Sequence, residues 1–507
     1  MKFVRAIFIA IMVMLWQSML SQEALEYEAT ILGNGSSGEN SPYYIASNNH
    51  GLMPQKSSAL GRVALWQKMD LSSRFSYGFG ADVIGGWCAG ADYMAYNNET
   101  QQFYAHRESP ANIWIQQLYC EIKYRGVFLT AGLKEYDSAM LNNELSSGDL
   151  IQSGNSRPIP EVRMGFVDFQ NIPFTHGWVQ IQGEISYGKT TDSDWLEKRY
   201  NYYNRRLAVG TWYTYKRCYF RTNPHQPLSI IIGAQAAGQF RGTTYRYSGG
   251  QVYETDVREP QFRDFFDMFI PKSGEEGYVK GNHLGSWDFQ ARYKLKNNDE
   301  LKAYFQWPWE DGSGIGKLNG FDGLWGIEYR RNNRGVVNGI VLEYLDFTNQ
   351  SGPLHWDSED NVGTTIVGTD ATGADNYYNN MNYNGYAHYG MSIGSPMFRS
   401  PMYNYDGLME YADNRFRGFH VGIMGNINPR LEYRVLGSYR KSWGTIFIPR
   451  VTPVDCTSAM VEMKYTMPTV EGLKFKAQVA FDQGALYGDN FGAMLSVSYH
   501  GNFSKCK

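Results

Sequence analysis

From residue 491 to the C-terminus, Phe491, Ala493, Leu495, Val497, Tyr499 and Phe503 share one parity, and Met494, Ser496, Ser498, His500 and Asn502 hold the other. Successive side chains of a β-strand point to opposite faces, so this stretch is apolar on one side and polar on the other. Its length is the constraint. At about 3.3 Å per residue and a tilt near 45°, roughly ten residues cover the ~25 Å apolar band of an outer-membrane barrel, whereas strands in soluble proteins average about five or six. An aromatic residue, Phe503, stands close to the end of the chain, as in many chains inserted into bacterial outer membranes.

The same alternation recurs upstream. Phe75, Tyr77, Phe79, Ala81, Val83 and Trp87 alternate with small or polar residues, as do Val179, Ile181, Ile185 and Tyr187. In 286–296, Trp287, Phe289, Ala291, Tyr293 and Leu295 oppose Asp288, Gln290, Arg292, Lys294 and Lys296, which places the basic face toward a lumen. Segments 431–439, 459–467 and 473–481 repeat the pattern. With a weak segment at 43–47, the segments sum to about 18 strands, an even number as single-chain bacterial barrels require.

A soluble sandwich alternates too, so the connections decide. Short turns at 468–472, 426–429, 332–335, 297–299 and 125–126 take turns with long loops at 443–457, 349–414, 308–321, 241–285, 189–206, 135–160 and 88–112. Short periplasmic turns facing long outer loops are the barrel arrangement. The expected fold is therefore an all-β, transmembrane antiparallel barrel over residues 59–507, preceded by a short N-terminal periplasmic segment or first strand at 22–58. Gly33-Asn34-Gly35-Ser36-Ser37-Gly38 within it matches G-x-G-x-x-G without a βαβ context and reads as a flexible stretch.

Residues 1–21 have the form of a secretory signal peptide: Lys2 and Arg5, an apolar run over 7–15, then small or polar residues to Ser21. That core is too short to span a bilayer. Together these features predict the cell outer membrane as destination. Aromatic content of 15% supplies rings for girdles at both membrane interfaces. A net charge of −3 gives no reason to expect nucleic acid. The five cysteines are widely spaced without a C-x-x-C pair, which argues against a zinc site, and no cofactor is expected.

Function then falls to the loops. Loop 349–414 carries Trp356, Tyr377, Tyr378, Tyr383, Tyr386 and Tyr389 interleaved with asparagines that include Asn382 and Asn384. Flat rings beside amides suit a ligand with apolar C–H faces and many hydroxyls, which describes a polysaccharide. Loop 241–285 adds Arg241 and Arg246, whose guanidinium groups match uronate carboxylates. The alternative is that the rings pack on one another as a lid over the mouth. Catalytic signals are discounted: Gly390-Met391-Ser392-Ile393-Gly394 fits G-x-S-x-G, but Pro396 and Pro401 deny it the required helix.

Several stretches resemble the Wzi-type capsule assembly family of outer-membrane lectins. They are Gly132-Leu133-Lys134, residues 150–167 with Arg157-Pro158 and Met164, residues 233–242 and 289–295, Leu324-Trp325-Gly326-Ile327-Glu328 and Leu342-Glu343-Tyr344. Tyr383-Asn384-Gly385-Tyr386 followed by residues 389–394 is similar to a Y-x-x-G-x-P-L-G motif, with Ser392-Ile393 in place of Pro-Leu. The resemblance implies an 18-stranded barrel whose outer loops hold capsular or other surface polysaccharide without catalysis, and the expected protein is a monomer in outer-membrane lipid. The family's periplasmic helical bundle is not expected, because residues 22–58 are rich in Gly, Ser and Asn. The competing expectation is a porin or saccharide channel, since barrels of 16 to 18 strands are wide enough for a water-filled pore.

Overall fold

A computed structural model describes residues 24–97, 99–199, 205–269, 281–310, 319–350 and 375–503. Eighteen antiparallel strands close into one barrel. In chain order they are β1 (Leu25–Asn40), β2 (Gln55–Gln67), β3 (Phe75–Cys88), β4 (Ile113–Tyr124), β5 (Val127–Leu133) and β6 (Glu161–Phe166, resuming at Gln170–Asn171). Next come β7 (Val179–Lys189), β8 (Trp212–Thr222), β9 (Leu228–Phe240), β10 (Asn282–Lys294), β11 (Glu300–Trp309) and β12 (Gly323–Arg330). The last six are β13 (Gly339–Asp346), β14 (Phe416–Asn428), β15 (Leu431–Gly444), β16 (Pro449–Thr466), β17 (Leu473–Gln483) and β18 (Asn490–Phe503). Each pairs with its chain neighbours, and β1 closes the ring on β18 in unbroken register from Leu25 opposite Phe503 to Ser36 opposite Gly492. Closure leaves no unpaired edge, which a sheet in lipid requires.

Exposure follows the parity read from the sequence. On β18, Phe491 and Leu495 face outward while Met494 is buried; on β10, Phe289 and Tyr293 face outward while Asp288 and Gln290 are buried. The outer wall is greasy and the inner wall polar. Tyr27 lies 5.0 Å from Phe503 and 6.2 Å from Tyr499 between ring centroids, part of an aromatic girdle at the end with the short turns.

Three expectations are corrected. Gly33–Gly38, read as flexible, lies within β1, where Gly33–Gly35 pair with β2 on one side and β18 on the other. Residues 43–47, counted as a weak strand, form a buried helical turn at Tyr43–Ala46. The loop expected at 443–457 is instead a tall hairpin, β15 and β16 joined across residues 445–448. Three other outer loops hold sheet as well: a hairpin at Ala91–Asn97 and Gln102–Glu108, and a three-stranded sheet in which Arg206–Val209 of one loop pairs with Gly242–Ser248 and Gln251–Arg258 of another. The leader at 1–21 lies outside the described residues.

Candidate functional site

Three outer connections, residues 41–54, 134–160 and 375–415, turn inward and fill the upper lumen. Lumen-facing polar residues hold them. Glu343 on β13 accepts from Ser146 Oγ and Ser147 N–H, both at 2.7 Å. Asp149 accepts from Gln235 at 2.7 Å and Gln306 at 3.0 Å, and Gln306 in turn accepts from Leu150 N–H at 3.1 Å. Near the mouth Tyr43 N–H donates to Asp482 at 2.9 Å, and the Arg440 guanidinium stacks between Tyr43 and Tyr487 at 4.0 and 4.5 Å. His420 accepts from Tyr44 OH at Nδ1 (2.8 Å) and donates from Nε2 to Leu145 O (2.7 Å), joining strand β14 to two of the segments.

Most nominated tyrosines are internal to this plug. Tyr386 is fully buried, donates to Ile151 O at 2.8 Å and meets Tyr213 OH of β8 at 3.3 Å. Tyr378 OH donates to Leu150 O and accepts from Ser395 N–H at 3.1 Å. Tyr377 OH accepts from Asn319 at 3.1 Å and donates to Asp322 at 3.3 Å. Burial holds the Tyr378 and Tyr386 hydroxyls well above their ordinary pKa, so they stay protonated donors. Tyr383 is buried beside Arg206, which binds its carbonyl at 3.2 Å and Glu410 at 3.0 Å. These rings hydrogen-bond the plug's own backbone, as buried Tyr tips must.

The other nominated residues sit nearer the surface. The Asn384 amide pairs with the Ala208 backbone, donating at 2.7 Å and accepting at 3.0 Å, which ties the plug to the outer three-stranded sheet. Asn382 is exposed. Tyr389 donates to Thr191 O at 3.0 Å, and Arg157 stacks between its ring and Trp114 at 4.7 and 4.3 Å. Thr191 N–H donates to His388 Nε2 at 3.3 Å, so Nδ1 carries the proton and donates to Arg157 O at 2.9 Å; burial lowers this imidazole's pKa and keeps it neutral. Gly390 has φ of +72°, and a Cβ there would run into the Trp195 ring. The nominated arginines are already paired: Arg241 makes two 2.6 Å bonds to Asp264, and Arg246 lies 3.4 Å from Glu254. Trp356 lies outside the described residues.

Two further rings stand at the outer surface, Tyr405 of the same tyrosine-rich loop and Tyr104 of a different one. Tyr405 is 60% exposed and Tyr104 45%. Met94 N–H donates to Tyr405 O at 2.9 Å, which joins the Tyr104 hairpin to the plug. Tyr104 sits in a short alternating hairpin, the one signal that could have nominated it. Among the described residues, no three His, Cys, Asp or Glu side chains gather as a metal site.

No protein-family profile matches this chain, and no curated protein matches it in sequence. Solved structures do match in fold. One is titled as Wzi, an outer-membrane protein involved in group 1 capsule assembly in Escherichia coli and a carbohydrate-binding β-barrel; it shares 14% identity, with a TM-score of 0.54 over 97% of this chain and 87% of that one. Others are Acinetobacter baumannii OccAB2 (TM-score 0.49, 8% identity, 95% of this chain and 98% of that) and Pseudomonas aeruginosa OprD (0.45, 10%, 95% of each). At these identities the likeness to Wzi shows a fold, the outer-membrane β-barrel.

Proposed function

We propose that this barrel binds polysaccharide at the outer face of the outer membrane and holds or organises it there, without catalysis. The observation that carries the reading is the plug: three segments fill the upper lumen and lock it through buried tyrosine hydroxyls, making a fixed platform at the end where a pore would open. Fixed aromatic and amide groups lose little conformational freedom on binding, which favours weak recognition of repeated sugar units summed along a chain. The carbohydrate-binding description of the Wzi structure supports the same reading.

On this proposal the nominated residues divide by role. Asn382, Tyr389, Tyr104 and Tyr405 offer surface to a glycan, Trp356 belongs to the same loop, and Tyr377, Tyr378, Tyr383, Tyr386 and Asn384 fix the platform. Arg241 and Arg246 meet an acidic sugar only by exchanging their present carboxylate partners. The test is binding of the purified protein to surface polysaccharide from its own host. Tyr104→Ala with Tyr405→Ala should weaken binding about tenfold with the barrel still folded; unchanged binding would reject the surface.

A further inference from the structure

Beneath the plug the lumen opens into a cavity of 590 Å³. Residues 139–142 and Glu144 form its roof, lumen-facing side chains of β8, β10, β11 and β12 its wall, and the turn 331–338 its lip. That turn is at the short-turn end, which faces the periplasm in outer-membrane barrels. Arg330, Arg331 and Arg334 are exposed there, so the cavity meets solvent on that side.

Its charge is lopsided. Six cations line it, Arg221, Arg292, Lys302, Arg330, Arg331 and Arg334, against three carboxylates, Glu144, Glu300 and Glu328. The carboxylates are engaged: Glu300 lies 3.6 Å from Arg292, Glu328 pairs with Lys302, and Glu144 lies 3.4 Å from Lys464 on the adjoining wall. Among the described residues Arg221, Arg330, Arg331 and Arg334 form no ion pair within 4 Å, with Asp168 near Arg221 and Asp299 near Arg331 as more distant counter-charges. Arg221 is nevertheless fixed in place. It stacks on Phe169 at 4.0 Å and donates twice to Gln180, at 2.9 and 2.6 Å, an amide that orients the guanidinium without neutralising it.

Arg292 stands directly opposite Lys302 across the ladder, each beside a carboxylate of its own, Glu300 and Glu328. Between the cations lie amides, Gln182, Gln290, Asn332 and Asn338 among them. Amides donate to and accept from hydroxyls, and guanidinium groups take carboxylate or phosphate oxygens in pairs.

We infer that this vestibule is a second saccharide site, open to the periplasm, which takes a short acidic oligosaccharide and seats its carboxylates or phosphates on Arg221, Arg330, Arg331 and Arg334. The site is separate from the outer surface and stands whether or not that surface binds glycan.

Calorimetric titration of the full-length protein in detergent tests it, with tetragalacturonate, neutral maltotetraose and inorganic phosphate as probes. Tetragalacturonate should bind at least about tenfold tighter than maltotetraose, and raised salt should weaken it. The triple variant Arg221→Gln, Arg330→Gln, Arg334→Gln should lose about tenfold or more, and Arg334→Gln alone, in an exposed turn, should lose part of that. Tyr104→Ala with Tyr405→Ala should leave this binding unchanged, which separates the two sites. Equal affinity for acidic and neutral sugars, no binding, or wild-type binding by folded variants would overturn the inference. Inorganic phosphate binding as tightly as the oligosaccharide would overturn its saccharide part.

Discussion

Single side chains decide how firmly the plug holds. Tyr386 bridges a barrel strand and two plug segments through one hydroxyl, so Tyr386→Phe removes that link and leaves the Ile151 carbonyl without its donor. The cost should be about 1 to 3 kcal/mol, measured as faster hydrogen exchange at plug amides with the barrel amides unchanged. Asp322 makes the same region sensitive to pH. Burial raises its carboxyl to about 7, against the lowering effect of the Gln350 and Asn349 amides. A raised acid pKa means the folded state binds the proton more tightly. The stabilisation is therefore full below the unfolded value near 4 and is lost as pH rises through the folded value. Protection factors at Gln350 and Tyr377, which take out the intrinsic acceleration of exchange with pH, should fall from about pH 5 to about pH 8 in the wild type, and Asp322→Asn should remove that fall.

At the scale of elements, the strands were legible wherever a polar face met lumen and an apolar face met lipid, as on β10 and β18. Where composition and pairing disagreed, composition misled. The Gly/Ser/Asn run in β1 looks like a turn, yet β2 and β18 flank its Gly33–Gly35 portion on both edges, and nothing local in the sequence records such long-range pairing. Outward-facing Ile31, 75% exposed and opposite Val497, locates β1 in lipid. Ile31→Arg should cost about 2 to 4 kcal/mol in a folding titration into lipid vesicles if it sits near mid-bilayer. The loops were the harder reading. A tyrosine has an apolar body and a polar tip, so the same Tyr/Asn run suits an exposed glycan surface and a buried plug. Tyr377, Tyr378 and Tyr386 took the second place because backbone carbonyls and side chains of neighbouring segments were within reach of their hydroxyls.

For the whole molecule, the arrangement is a closed 18-stranded cylinder with a packed upper lumen and a basic chamber below. On the proposed function such a body spans the membrane and stays non-conducting while its plug is seated. Excising residues 375–411 should leave a folded barrel, because strands β13 and β14 keep their own register and only the inward segment is lost. That variant should conduct. The most direct test of the account is the conductance of the intact wild-type protein reconstituted in a planar lipid bilayer. The account predicts a silent membrane without steady porin-like openings, while a sustained, large, ohmic current through the wild type would contradict it.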